Sequence, residues 1–217
     1  MVATARNAGA DRRQERRAQR EDLSRTQLLD AAEEVFGRKG FHETTLKEVA
    51  ELAGFSVGSV YSFFANKDDL IRHVYLRRGD EFMPVLRELI AAEGSPLDVL
   101  HEVVTFQVEF FRDRPHFGRL FLWHSGHVLG SDSGAPLDDP IAANFDEAMQ
   151  LQADLFRRGQ AAGVLGPGDP SVLGRIFSGI ISAYQETDPA ITGDDPTAPE
   201  RLPLEDLHAL IARTFAA

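Results

Sequence analysis

Two helix-start signals separated by a glycine constrain this chain more than any other feature. Thr45 is followed three residues later by Glu48, and this pair is a capping box at the start of an apolar helical pattern. Gly54 ends the pattern after about two turns, because glycine readily adopts the left-handed conformation found at helix ends. Ser56 is then the N-cap of another helix. This spacing predicts a helix-turn-helix unit, although any helical hairpin can produce it.

Helix signals continue on both sides of this unit. Ser24 is the N-cap predicted for a first helix, which Gly40 should end. Asn66 and Asp69 predict a fourth helix, with a kink or an end near Pro84 because proline lacks an N–H. Later apolar segments have helical periodicity and are bounded by glycine and proline, and none reads as a strand. The predicted fold is all-α, with an N-terminal three-helix domain and a larger C-terminal helical bundle.

Charge is distributed unevenly along the chain. Residues 1–80 contain 14 Lys and Arg against 13 Asp and Glu, whereas residues 81–217 contain 9 against 21. The asymmetry suggests two tasks in two segments, although an acidic solvated surface beside a neutral one would look the same. Residues 1–22 are arginine-rich and poor in apolar side chains, which predicts a flexible basic arm. The predicted domains are this arm, residues 23–68 and residues 69–217.

Composition limits the possible classes of protein. The absence of cysteine excludes disulfides, thiol catalysis and thiolate metal sites. No apolar run reaches the roughly 18 residues of a membrane span, and the first residues do not resemble a secretory signal. We therefore expect a cytoplasmic protein with no membrane partner. There is no phosphate loop, nucleophile motif or carboxylate–histidine pair at ligand spacing, so we predict no enzyme, no catalytic residues and no cofactor.

The helix-turn-helix segment resembles the tetracycline-repressor (TetR) family of bacterial transcriptional regulators. The similarity runs from about Arg25 to Leu70, roughly a fifth of the chain. The positions that carry it are Phe36, Gly40, Phe41, Thr44, Thr45, Val49, Ala50, Gly54, Gly58, Tyr61, Phe64, Asn66, Lys67 and Leu70.

The resemblance implies a homodimeric, ligand-responsive repressor that binds a pseudo-palindromic operator in double-stranded DNA. It also implies that a small-molecule effector binds the C-terminal ligand-binding and dimerisation domain and releases the DNA. A transcriptional activator is the alternative within the family. A helical-bundle enzyme or a protein-binding adaptor would be the alternative outside it.

The family motif also implies which residues contact DNA. These candidates are Thr44, Thr45, Ser56, Val57, Ser59, Tyr61, Ser62 and Lys67. Tyr61 could pack its ring while placing its hydroxyl on a phosphate, and Val57 could contact a thymine methyl or belong to the core. Both threonines lie at a helix N-terminus, which suits a phosphate. Lys67 matches a phosphate contact of the family, or is a solvated lysine.

The third helix departs from what base recognition usually needs. Val57 to Phe64 contains no Arg, Lys, Asn or Gln, the side chains that make bidentate contacts to bases in the major groove. Specificity could therefore come partly from DNA shape, or from an arm that enters a minor groove. The candidate arm residues are Arg12, Arg13, Arg16, Arg17 and Arg20. The alternative is a solubilising tail.

The C-terminal segment is rich in aromatic residues, which suggests an apolar pocket for an apolar or amphipathic effector. The candidates are Phe106, Phe110, Phe117, Phe121, Trp123, His124, His127, Phe145, Met149 and Phe177, any of which could instead belong to the core. His124 and His127 could share a metal, but structural sites usually need four ligands, so we predict no metal site. The helices starting near Asp169 and Leu204 are the predicted dimer interface, with a ridge of small residues at Gly174, Ser178, Gly179 and Ser182.

Overall fold

A computed structural model describes residues 2–128, 140–193 and 201–217, with side chains from residue 14 onward except at 124–139 and 194–200. In these ranges the helices are α1 (Val2–Glu43), α2 (Leu46–Ala53), α3 (Val57–Phe63), α4 (Lys67–Ala91), α5 (Pro96–Arg112), α6 (Pro115–Val128), α7 (Pro140–Ala161), α8 (Pro170–Thr187), α9 (Pro189–Thr192) and α10 (Leu204–Phe215). Extended pairing in the described residues is limited to a single bridge between Leu165 and Ala216. The predicted all-α class is confirmed.

The chain divides into two compact units, Met1–Val74 and Tyr75–Ala217. The division falls inside α4. Our predicted domain boundary at residue 68 stays a prediction, and each unit is described by itself below. None of the helices in the described parts of the chain is long and apolar enough to span a lipid bilayer.

The first unit is built around a small aromatic and aliphatic core. Phe36, Val49, Val60, Phe64 and Leu70 come from its four helices and are all at most 1% exposed. Apolar side chains at helical spacing supply this core, as the sequence pattern predicts.

The start of α1 differs from our prediction. We expected a flexible arm over residues 1–22 and a helix beginning after Ser24, but α1 continues through this region from Val2. Arg, Gln, Glu and Ala dominate the segment and are good helix formers. Arg17 and Glu21 also form an i, i+4 ion pair at 2.9 Å, which supports the helix. Gly40 interrupts the helical path with φ 80° and ψ 170°, as expected for a glycine stop.

The second unit has its own core, in which Phe156, Phe177 and Phe215 pack edge to face with ring centroids 5.0–6.0 Å apart. α7 and α8 pack along each other beside this cluster. Gly174 of α8 lies against the backbone of α7, where an added Cβ would meet the backbone nitrogen of Ala153 at 3.4 Å. At position 174 the packing of α7 on α8 therefore leaves room for little more than a methyl group.

A buried charged cluster joins distant parts of the second unit. The Arg112 side chain is 3% exposed, and its Nε donates to Asp188 Oδ2 at 2.7 Å. Its Nη2 donates to the carbonyl oxygen of Leu202 at 2.7 Å, and its Nη1 to Glu109 Oε1 at 2.8 Å. Tyr184 also donates to the Leu202 carbonyl, at 2.6 Å. A buried cation with this many acceptors fixes where the chain passes before α9 and before α10.

Two details of the later helices bear on our predictions. We predicted a kink or an end of α4 near Pro84, and the end is wrong because α4 continues through that proline to Ala91. α8 begins where predicted, because Asp169 accepts hydrogen bonds from the backbone N–H groups of Ser171 and Val172. α10 also begins at Leu204 as predicted.

Candidate functional site

The turn between α2 and α3 is held by hydrogen bonds between residues close in sequence. Thr45 accepts from the Glu48 backbone N–H at 3.3 Å, and the Glu48 carboxylate accepts from the Thr45 backbone N–H at 2.9 Å, which completes the predicted capping box. Gly54 ends α2 in the left-handed conformation, with φ 75°. Ser56 then caps α3 by accepting from the Ser59 N–H at 3.1 Å. These caps fix both ends of the turn and therefore the direction of α3.

The Glu48 carboxylate is also the electrostatic centre of this region. Its pKa is lowered to about 2, first by a hydrogen bond from the Lys39 ammonium and then by the Thr45 backbone and hydroxyl donors. The charged form is therefore the one that closes the capping box and ties the end of α1 to the start of α2.

One side of α3 is exposed and carries small polar residues. Ser56, Gly58, Tyr61 and Ser62 are exposed, and Ser59 is half-buried. The serine hydroxyls are locally engaged: Ser62 donates to the Ser59 carbonyl at 2.6 Å, and the hydroxyl oxygens of Ser56 and Ser59 are 2.8 Å apart. Apart from Tyr61, this side of α3 therefore carries only short side chains.

Tyr61 does not pack its ring in the core, contrary to one part of the double role that we predicted for it. Its side chain is 57% exposed, while Val60 and Phe64 are 0% and 1% exposed. Val60 is the fully buried residue of α3, Phe64 is buried just after its end, and Val57 is half-buried. Tyr61 is therefore a projecting aromatic side chain next to exposed serines.

Thr44 is a second correction. It was a candidate phosphate contact, but it is 2% exposed and its hydroxyl donates to the Gly40 carbonyl at 2.7 Å. The hydroxyl compensates a carbonyl at the point where Gly40 breaks α1, so Thr44 has a structural role. Thr45 remains exposed at the N-terminus of α2.

Lys67 also has a structural role that the sequence did not predict. Its ammonium donates to the carbonyl oxygens of Phe41 at 2.7 Å and Thr44 at 3.0 Å, and it lies 4.3 Å from the centroid of the Phe41 ring. A half-buried ammonium with these partners is not a solvated lysine, and the two short hydrogen bonds use two of its three N–H groups. It holds the link between α1 and α2 from the start of α4.

The arginines of the predicted arm lie on the N-terminal part of α1. Arg16, Arg17 and Arg20 are exposed, whereas the side chains of Arg12 and Arg13 lie outside the described residues. An α-helix is about 10 Å or more across with its side chains, and the minor groove of B-DNA is about 6 Å wide. In this helical form the segment is wider than that groove, so a contact of these arginines with the minor groove would require the helix to unwind and stays a prediction.

The second unit contains a cavity of about 250 Å³. Its walls come mainly from α4, α5, α6, α7 and α8. The apolar lining includes Tyr75, Phe82, Met83, Phe111, Phe117, Phe121, Phe145 and Met149. The polar lining includes Arg78, Gln107, Asn144, Asp146, Gln152, Arg175, Ser178, Ser182 and Gln185. A mostly aromatic concavity with a few polar groups is typical of a site for a small organic molecule.

The structure divides our predicted pocket residues into three groups. Phe117, Phe121, Phe145 and Met149 line the cavity, and their role as effector contacts stays a prediction. The residues that do not line it are Phe106, Phe110, Trp123 and Phe177. The side chains of His124 and His127 lie outside the described residues.

The residues outside the cavity have other surroundings. Phe177 is 0% exposed in the core, and Phe106 packs on Phe82 with ring centroids 4.9 Å apart. Phe110 is buried beneath Arg114, whose guanidinium lies 4.2 Å from the ring centroid. Trp123 is 47% exposed. These four residues are withdrawn as candidate pocket residues.

Sequence reasoning missed the contribution of α4 and most of the polar lining. Tyr75 and Phe82 lie seven residues apart on one face of α4, and this spacing was an available signal. Burial raises the pKa of the Tyr75 hydroxyl well above its ordinary value, and that hydroxyl donates to the Leu120 carbonyl at 3.1 Å. Gln107 and Gln152 carried no signal, because a single glutamine in a helix is normally a surface residue.

The described side chains contain no cluster of three or more His, Asp or Glu residues placed to hold a metal ion. Two histidines of the second unit, His101 and His208, stack with ring centroids 4.9 Å apart. Burial lowers the pKa of His208, and the neighbouring His101 lowers it further.

Comparison with known proteins identifies the class to which this fold and turn belong. Residues 28–74 match the family described as bacterial regulatory proteins, tetR family. The HTH-type transcriptional regulator RutR of Escherichia coli O157:H7 is 29% identical over 147 residues, which cover 67% of this chain and 66% of RutR. The aligned region thus spans just under two thirds of that relative.

Solved structures agree over most of the chain. The ketosteroid transcriptional regulator KstR2 of Mycobacterium tuberculosis superposes with a TM-score of 0.71 at 18% identity, covering 89% of this chain and 95% of KstR2. FadR of Bacillus subtilis, solved in complex with stearoyl-CoA, gives 0.68 at 18% identity, with 87% and 95% coverage. The chain belongs to the TetR family of bacterial transcriptional regulators. Membership of this family of regulators confirms the prediction that the chain is not an enzyme.

Proposed function

We propose that this protein is a homodimeric transcriptional repressor that binds a pseudo-palindromic operator through α3 and is released from it by a small molecule bound in the second unit. The observation that carries the proposal is the capped turn that directs α3, with Tyr61 and Ser62 exposed on a helix whose opposite side is buried. We infer that the protein acts in the cytoplasm, where its operator would lie. Activation is the alternative, because the sign of regulation depends on where the operator lies relative to the promoter.

The proposed DNA face is smaller than the one that we predicted. It retains Thr45, Ser56, Ser59, Tyr61 and Ser62, and includes Val57 at its edge as a possible contact to a thymine methyl. Thr44 is withdrawn, and Lys67 acts through the α1–α2 link rather than on a phosphate. The short side chains allow α3 to approach the floor of the major groove. The Tyr61 hydroxyl would donate to a phosphate.

The operator assay is fluorescence anisotropy with the DNA upstream of the protein's own gene, across a series of salt concentrations. We expect Tyr61→Ala to weaken binding at least tenfold, and Tyr61→Phe to show how much of that loss belongs to the hydroxyl. Gln150→Ala changes an exposed residue of α7 and is the control. Unchanged affinity of Tyr61→Ala for the operator would remove α3 from the proposed interface.

The arginines of α1 are proposed to contact DNA phosphates outside the major groove. Arg16 and Arg20 are exposed and form no ion pair among the described side chains, whereas Arg17 is paired with Glu21. Each phosphate neutralised adds about 0.9 to the slope of log affinity against log salt. Arg16→Gln should therefore flatten the slope by about that amount, and Arg17→Gln should change it less. Equal slopes for the native protein and both variants would show that these arginines do not contact phosphates, and would favour a solubilising role for the N-terminal part of α1.

The proposed dimer interface is the exposed apolar side of α8 together with α10. Val172 and Ile176 are 53% and 46% exposed, Leu210 of α10 is 41% exposed, and nothing lies within 4 Å of a Cβ added at Gly179. Exposed apolar side chains at helical spacing suit a helix-on-helix contact with a second copy. The predicted small-residue ridge is only partly available, because Ser178 donates to Gln152 inside the protomer.

Sedimentation equilibrium tests this interface. Ile176→Asp should shift the protein from dimer to monomer, because it would bury a carboxylate between two copies. Val85→Asp places the same charge on an exposed apolar position of α4 and should leave the dimer intact. A dimer that survives Ile176→Asp would require another interface.

The cavity is the proposed effector site, and α4 the element that transmits binding. Tyr75, Arg78, Gly79, Phe82 and Met83 of α4 all line it, and the same helix begins in the first unit at Lys67. A ligand that displaces α4 would change the spacing of the two α3 helices in the dimer. A coupling free energy of about 1–3 kcal/mol corresponds to a loss of operator affinity of about 5- to 150-fold. Unchanged affinity at saturating ligand would exclude this mechanism.

A further inference from the structure

The cavity of the second unit carries information about the chemistry of its ligand. We propose that the effector is a compact, neutral molecule of about two fused rings that bears a carbonyl oxygen, and that the side-chain amide of Gln107 donates to this oxygen. The inference rests on the proposed function for the identity of the site, and extends it to the class of ligand and a residue that selects it.

Size sets the first limit. A cavity of about 150 Å³ lined by apolar side chains accepts benzene, and sites for drug-sized ligands usually occupy about 300–1,000 Å³. The cavity here measures about 250 Å³. It has room for more than one ring but less than a typical drug-sized ligand occupies. A long acyl thioester would require the helices to separate.

The aromatic side chains set the shape. Phe111 and Phe117 stack with centroids 5.8 Å apart and an interplanar angle of 19°. Phe121 and Phe145 stack at 5.5 Å and 23°, and Phe121 lies 4.8 Å from Phe111. The lining thus contains two near-parallel pairs of rings, with Phe111 tilted by 36° from Phe121 between the pairs. Flat aromatic faces make more contact with a planar ring system than with a flexible chain.

The charged side chains that line the cavity are of both signs. The Arg78 guanidinium donates to both carboxylate oxygens of Glu81, at 2.7 and 2.9 Å. Arg175 and Asp146 are both exposed and bring opposite charges to the lining. An ionic ligand would therefore lose its hydration and meet a like charge as well as an opposite one, which favours a neutral ligand.

Gln107 supplies the polar contact. Its Nε2 is buried and has no hydrogen-bond partner within the described part of the chain. Three other polar side chains of the lining are engaged: Gln152 accepts from Ser178 at 2.7 Å, and Gln185 donates to the Gln107 backbone carbonyl at 3.1 Å. The latter bond fixes the backbone from which the Gln107 side chain extends. A buried N–H without an acceptor is unfavourable, and a carbonyl oxygen of the ligand would compensate it.

A matched pair of probes tests the proposal by isothermal titration calorimetry on the full-length protein. 1-Tetralone and tetralin have the same fused-ring skeleton and differ by the carbonyl oxygen. The native protein should bind 1-tetralone at least tenfold more tightly, the effect expected for satisfying a buried donor. Gln107→Leu should abolish this preference by weakening 1-tetralone and not tetralin. Gln150→Leu, on the exposed side of α7, should preserve it.

Several outcomes would overturn the assignment. They are equal affinity of the native protein for both probes, no binding of either up to its solubility limit, tighter binding of the anion 1-naphthoate, and a preference that survives Gln107→Leu. The comparison of probes on the native protein needs no variant, so a folding defect in Gln107→Leu does not leave the proposal untested.

Operator binding separates this inference from the proposed function. If 1-tetralone binds through Gln107 without changing operator affinity, the ligand class stands and release by the effector fails. If operator binding is intact but the native protein does not distinguish the probes, the regulator stands and the ligand class fails.

Discussion

The two units satisfy their polar groups over very different distances along the chain. In the first unit Thr45 pairs with Glu48, Ser56 with Ser59, and the backbone N–H of Asp69 with the side chain of Asn66, each over three residues. In the second unit Arg112 reaches Asp188 and Leu202 across 76 and 90 residues. Hydrogen-bond partners that lie close in sequence can be predicted from a short segment, whereas distant partners cannot.

The largest effect that tests this contrast should come from Arg112→Ala. Removing the guanidinium leaves the fully buried Asp188 carboxylate without its main partner, and breaking a buried pair in this way costs about 3–5 kcal/mol. Urea denaturation should show that loss in the free energy of unfolding of the second unit. Arg157→Ala, which removes an exposed pair with Asp154, should cost less than about 1 kcal/mol. Similar losses in both variants would contradict the role of the buried cluster.

A smaller effect is expected for Lys67→Ala, which removes long-range hydrogen bonds within the first unit. Losing a charged donor to the Phe41 and Thr44 carbonyls should cost about 1.5–3 kcal/mol. Hydrogen exchange of the α2 amides should accelerate accordingly, while the amides of α8 keep their native rates. Unchanged exchange in α2 would show that the α1–α2 link holds without this lysine.

Two glycines of the helix-turn-helix should respond with opposite signs. Gly54→Ala places a side chain at φ 75° with no atom nearby to clash, so backbone strain alone should cost about 1–2 kcal/mol. Gly58 lies inside α3, and a Cβ there would meet only the Ser56 hydroxyl at 3.7 Å. Gly58→Ala should therefore stabilise folding by up to about 1 kcal/mol. Thermal unfolding of the pair measures both, and a common sign would contradict this view of the turn.

The smallest effect is the dependence of the first unit on acid. The pKa of Glu48 is about 2 when folded against an ordinary value of 4.5, so its contribution to stability is complete above about pH 4.5 and disappears as the pH falls through about 2. The difference in unfolding free energy between the native protein and Glu48→Gln should therefore shrink over that window. Lys39→Met, which removes the largest cause of the shift, should reduce the dependence. A difference independent of pH would contradict it.

The same contrast explains what the sequence could predict. The capping box at Thr45, the stop at Gly54 and the cap at Ser56 are local and were all predicted correctly. The exposure of Tyr61 was not predicted. With 3.6 residues per helical turn, the residue next to the buried Val60 can face either the core or the solvent. The engagement of Lys67 depends on carbonyls more than twenty residues earlier, which no local pattern reveals.

In the second unit the sequence predicted the helices and an aromatic pocket, but only some of the predicted residues line the cavity. Phe110 and Phe111 are adjacent aromatic residues of α5, yet Phe111 lines the cavity and Phe110 does not. Which of the two faces the cavity depends on how α5 packs against α4 and α6, and that arrangement is a property of the whole unit. The buried Nε2 of Gln107 could not be recognised from the sequence, because its lack of a hydrogen-bond partner depends on the residues that surround it in the fold.

The long reach of Arg112 has a consequence for synthesis on the ribosome. At about 5–20 residues per second, roughly 4–15 s pass between incorporation of Arg112 and of Asp188, 76 positions later. The first unit has all its short-range partners before α5 is made, so it can fold while the rest is being translated. The nascent second unit must keep a guanidinium hydrated until the chain that carries its counter-charge emerges. Its core therefore closes only after Asp188 and Leu202 have been made.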